Sequence, residues 1–151
     1  MWDDLKKWQA ARHCELAGPE SWLGIRGLFW LEPGLNSVGS ADGSVVLMPG
    51  GPAHLGDLIC QDGRVIWQPT GGEARELQTD IAGQSTVVDF QNWSFFPVDR
   101  ESRIAVRLRD RDWALSQPFS GLDYFDFEPA WQIVAEWQSL SPPISMEVPN
   151  V

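Results

Sequence analysis

The sequence predicts a mainly β fold: an N-terminal helix followed by an antiparallel β-sandwich or partly open barrel. Three observations carry this. Sustained helical periodicity is confined to residues 2–16, with one short helical turn expected at Pro19 to Trp22, where Pro suits a first helical position. Beyond it, short apolar runs are cut at close intervals by turn residues, with 14 Gly and 11 Pro spread along the chain. The run Arg103 to Arg109 alternates strictly, with Ile104, Val106 and Leu108 on one side and Arg103, Ala105, Arg107 and Arg109 on the other.

The helix opens with Asp3 and Asp4, where the helix dipole favours negative charge. Trp2, Leu5, Trp8 or Gln9, Arg12 and Leu16 follow its three-to-four spacing. Gly18-Pro19 ends it. Leu5 and Trp8 are its large apolar groups, so they are expected to dock it on the sheet.

The span 23–151 is expected to be sheet. Strands are expected at Phe29-Trp30-Leu31, Asn36 to Gly39, Val45 to Met48, His54 to Gln61 and Arg64 to Gln68. Asp62-Gly63 supplies the positive φ angles of a two-residue type I′ hairpin turn. Gly71-Gly72 opens a polar loop reaching Leu77. Further strands are expected at Thr86 to Phe90, Trp93 to Val98, Arg103 to Arg109 and Gln132 to Trp137, with a last alternation at Ile144, Met146 and Val148. A half-buried strand needs a neighbour, and this one stands at the chain's end. An edge strand and a fragment lacking a C-terminal β-rich half both fit that ending.

Composition narrows the class. The chain's 151 residues, 43% hydrophobic and 21% charged, suit a single ordinary globular domain. The 21 acidic and 11 basic side chains give a net charge of −10. That sign repels nucleic-acid phosphates and anionic membranes, and no basic run offsets it. No apolar stretch approaches the roughly 20 residues of a membrane span, so a cytoplasmic protein is expected. Cys14 and Cys60 match no paired metal or redox spacing, and His13 and His54 form no ligand pair. Neither a metal nor a cofactor is expected.

Several stretches resemble the bacterial domain-of-unknown-function 1684 family. Trp22 to Leu31 and Gly34 to Ser40 are similar to its opening, and Val98 to Asp110 to its central motif. Phe119 to Leu122, Phe127 to Trp131 and Ala135 follow in the family's order. The resemblance implies a helix followed by a β-rich domain. It also implies a second β-rich half with its own Asn-, Arg- and Cys-containing signature, which this sequence lacks. It implies little chemistry, because the family is named for the lack of an assigned function. The run Gly34 to Trp67 is faintly similar to a forkhead-associated phosphopeptide domain, but Ser40 stands where that domain needs an arginine.

Arginine is the outstanding candidate chemistry. Arg100, Arg103, Arg107 and Arg109 crowd one strand region of an acidic chain, with Asp110 beside them. Guanidinium forks bind carboxylate or phosphate bidentately, so this stripe is expected to hold a small anionic ligand, or else to pair with surface carboxylates. A protein partner is the other expected occupant. The alternative is a hydrolase-like enzyme using Arg107, Asp110 and His54, the last as general base. Asp123, Asp126 and Glu128 are a weaker carboxylate cluster. Nine Trp residues could offer stacking platforms or simply fill the core. Oligomeric state is open at this level.

Overall fold

The structure, a computed structural model, describes residues 2–101, 103–139, 141–142 and 144–145. The chain divides into two compact units, Met1–Gly121 and Leu122–Val151.

The first unit begins with helix α1 (Trp2–Ala17), then a single 3₁₀ turn at Trp22–Gly24. Nine strands follow: β1 (Ile25–Trp30), β2 (Gly34–Gly39), β3 (Val46–Leu47), β4 (Gly56–Gln61), β5 (Arg64–Pro69), β6 (Arg75–Leu77), β7 (Val88–Phe90), β8 (Trp93–Arg100) and β9 (Arg103–Asp110). A short helix, α2 (Arg111–Ser116), follows β9. The strands form two sheets, ordered β1-β9-β8-β7 and β3-β2-β4-β5-β6. Every pairing is antiparallel except the short β2–β3 contact. Among the described residues there are two separate sheets and no closed barrel.

The core is built by period-2 alternation in both sheets. Ile104, Val106 and Leu108 of β9 cluster with Phe95 and Val88, and from the other sheet with Val38, Leu58, Val65 and Trp67. Trp67 meets Phe95 edge-on, ring centres 5.0 Å apart, joining the two sheets at their apolar faces. Asn36 is buried and spends its amide on the carbonyls of Glu32, Gly34 and Leu58, while its Oδ1 accepts from the Glu32 N–H. The expected hairpin is present: Asp62 and Gly63 hold φ of 52° and 75° between β4 and β5.

Four expectations need correction. Among the described side chains of α1 the half-buried ones are Leu5, Gln9, Arg12, Leu16 and Ala17, whereas Trp8 is 56% exposed. The buried stripe follows the Gln9 option of the periodicity, so the bulky indole lies off the packed face. Arg75–Leu77, expected as loop, is a strand because Val65, Ile66 and Trp67 of β5 give it backbone partners. Arg111–Ser116, not expected as a helix, is nucleated when the Asp110 carboxylate caps the Trp113 N–H at 3.0 Å.

The fourth lies in the second unit. Of its described residues, 132–137 were expected as a strand, but none belongs to one. Val134 and Trp137 are 92% and 90% exposed, because β-prone side chains cannot hold a strand without a hydrogen-bonded neighbour. The only regular element described there is a 3₁₀ turn at Pro129–Trp131, with Trp131 edge-on to Phe125. The described strands thus end at Asp110, well short of the expected span 23–151. Met146 and Val148 of the last alternation lie outside the described residues.

Candidate functional site on the arginine face

The register of β9 decides which side chains share its outer face. Residues directly opposite in an antiparallel pair project to the same side. Arg107 faces Leu28 of β1 and Phe96 of β8, and Arg109 faces Ile25 and Ser94. Arg103 faces Arg100, while Ala105 lies between Trp30 and Val98. The outer face is therefore a mixture of arginines and aromatic or aliphatic groups.

Most of these guanidinium groups stack on rings. Arg103 lies 4.3 Å from the Trp30 ring centre, Arg107 4.5 Å from Trp22, and Arg109 5.2 Å from Phe96. Arg26 of β1 lies 3.9 Å from Trp113. Such contacts attract the cation to the negative ring face and hold the fork in place.

Carboxylate pairing is uneven along the strand. Glu20 bridges Arg109 and the Arg111 Nε, the latter at 2.5 Å, and Arg111 also pairs with Asp89. Arg100 pairs with Asp80 at 2.6 Å. Arg107 and Arg103 have no carboxylate partner among the described residues. Partial burial pushes the Glu20 carboxyl up, but hydrogen bonds and charge from Arg111 and Arg109 outweigh it and leave the group below its ordinary value. Arg111 is in turn raised by the hydrogen bonds it donates to the Asp89 and then the Glu20 carboxylate. At Asp80, burial again pushes up, while the Asp99 N–H and Arg100 win and lower the net value.

Glu20, Trp22, Ile25, Phe96, Arg107 and Arg109 line a hollow of about 240 Å³. Around it, buried polar atoms are left without partners: the Nε of Arg109, the hydroxyl of Ser94 directly across the strand pair, and that of Ser21 beside Glu20. Unpaired buried donors are costly, so the place favours an acceptor. A larger groove of about 490 Å³ lies near Arg103, with Leu31, Cys60 and Ile104 inside and exposed Glu32 and Asp62 at its rim. Burial raises the Cys60 thiol there, so it stays protonated.

The remaining sequence candidates sit elsewhere. Asp110 accepts from the Trp113 N–H and from Asn92, both at 3.0 Å, and acts as a helix cap. His54 lies in the loop before β4, in the other sheet, with Nε2 3.4 Å from Asp57. Arg107 and Asp110 share β9, but Asp110 is spent on the Trp113 and Asn92 amides, and His54 belongs to a loop before a strand of the other sheet. No group of His, Cys, Asp and Glu suited to a metal occurs among the described residues. No helix among them is long and apolar enough to cross a membrane.

Sequence reasoning found the arginines but missed Glu20, Trp22, Phe96, Asp89 and Arg111. Phe96 was accessible in principle, since it alternates with buried Phe95 and Pro97 along β8. Glu20 and Trp22 precede the sheet, and only the close packing at Gly24 brings that turn to Arg109. A Cβ at Gly24 would come within 3.0 Å of the Arg109 side chain. Compared with known proteins, the chain matches no family model, no curated protein and no solved structure.

Proposed function

We propose that this protein binds a small anionic ligand on the outer face of the β1-β9-β8-β7 sheet, with Arg107 as the central contact. The observation that carries the reading is Arg107 itself. It lines a hollow, is held against Trp22 at 4.5 Å, and has no carboxylate partner among the described residues of a chain bearing −10. A charge-assisted fork of this kind contributes roughly 1.5–3 kcal/mol per hydrogen bond when partly desolvated. The orphan Arg109 Nε and Ser94 hydroxyl nearby support the same chemistry. The hydrolase-like alternative draws no support, because Asp110 is engaged as the α2 cap and His54 lies beside a strand of the other sheet.

Kinship with the domain-of-unknown-function 1684 family belongs to this proposal. Its central motif residues, Val98 to Asp110, span the end of β8 and all of β9. A cytoplasmic setting belongs to it too, supported by the free thiols Cys14 and Cys60. The test is a thermal-shift screen of small carboxylates and phosphates at low salt. A ligand that raises the melting temperature of the native protein but not of Arg107→Ala is the expected result. Equal responses from both proteins, or none, would reduce the stripe to surface charge.

A further inference from the structure

We infer that the ligand of this hollow is a monocarboxylate with a flat apolar body, and that Glu20 sets the preference for one negative charge over two. The inference rests on the anion-binding reading and narrows its ligand class.

Charge comes first. The cluster holds three cations, Arg107, Arg109 and Arg111, against two anions, Glu20 and Asp89. The local balance is therefore one positive charge, which a single carboxylate neutralises. A dianion would leave surplus negative charge beside the Glu20 carboxylate. Glu20 is ionised near neutrality, since Arg111 and Arg109 hold it below its ordinary value. It already takes the Arg109 Nη1, so the fork with no carboxylate partner among the described residues belongs to Arg107.

The walls come second. Trp22, Ile25 and Phe96 are apolar, and two of them present rings on which guanidinium groups already stack. An inorganic anion would leave this apolar surface uncovered, whereas a carboxylate on a ring would cover it while its oxygens meet Arg107. The volume of about 240 Å³ limits the body to a small molecule. Glu20 is 55% exposed and sits at the rim, where it acts on an arriving charge without filling the hollow.

The experiment is calorimetric titration of the full chain at low salt with benzoate, acetate, inorganic phosphate and benzyl alcohol. It uses the native protein, Glu20→Gln, Arg107→Met and Arg107→Lys, each first checked for a cooperative melt. Native protein should bind benzoate about tenfold or more tightly than acetate or phosphate, and benzyl alcohol least. Glu20→Gln should raise phosphate affinity by about tenfold and narrow its gap to benzoate. Arg107→Met should lose benzoate, and Arg107→Lys should recover only part of it. If phosphate or acetate matches benzoate on the native protein, the anion reading stands and the ligand class is wrong. An unchanged benzoate-to-phosphate ratio in Glu20→Gln overturns the role of Glu20. If no anion binds, or Arg107→Met binds them all as the native protein does, both readings fall together.

Discussion

Strand β9 turns two unlike faces to its surroundings. Ile104, Val106 and Leu108 are buried against the opposite sheet, in a cluster fed by eight strands and by Met48 just after β3. Arg103, Arg107 and Arg109 face outward, and each lies against an aromatic ring. The inner face is held by apolar area removed from water, which is large and indifferent to detail. The outer face is held by contacts worth about 0.5–1 kcal/mol each, whose value depends on what lies opposite. One alternating sequence thus supplies the fold on one side and a selective chemistry on the other. The sides should respond to mutation in opposite ways.

The largest effect belongs to the inner face. Leu108→Ala should cost about 2–5 kcal/mol in urea unfolding, from lost burial plus the cavity left behind. Arg107→Ala, one position away, should cost no more than about 1 kcal/mol, the loss of one ring contact. Equal costs would break the comparison.

A middle-sized effect belongs to the strand's end. Asp110→Ala should destabilise by about 0.5–2 kcal/mol, because the α2 cap is lost and Asn92 loses its acceptor. Asp110→Asn should recover much of that. Neither change should alter the anion response, which separates a capping role from one in orienting Arg107.

The smallest effect is a pH dependence. The lowered carboxyls of Glu20 and Asp80 bind protons less readily folded than unfolded, so their contribution is complete above the ordinary values of 4.5 and 3.8. It is lost as pH falls through their lower folded-state values. Acid melts should therefore show a shallow decline in stability below about pH 4.5, weaker in Glu20→Gln and damped by added salt. A steeper acid decline in Glu20→Gln would reverse the assigned sign.

The same two faces explain what was legible in advance. Period-2 alternation is local, so Arg103 to Arg109 was readable as a strand with a basic side, and Asp62-Gly63 as its own turn. The expected stretch 132–137 had similar β-prone residues but no partner, and pairing is a property of distant sequence. The site divides the same way. Which residues point outward follows from the strand alone. That Arg109 meets Glu20 while Arg107 meets Trp22 depends on a turn some 85 residues earlier packing against the sheet at Gly24. Asp110 looked like an arginine partner because it is adjacent in sequence. Its alternation in the strand instead turns it away from Arg109 and toward the amides of α2.

The arginine face also has a kinetic consequence. No Lys or Arg follows Arg111, whereas Asp112, Asp123, Asp126, Glu128, Glu136 and Glu147 do, so the far field of the chain is repulsive to the anion its hollow attracts. The diffusing ligand meets a barrier before it meets a well. Salt shortens the reach of that barrier to roughly 8 Å at physiological ionic strength. Added salt should therefore quicken association even as it hastens release. In an anion-binding protein with a positive net charge, salt would instead slow the approach while still hastening release.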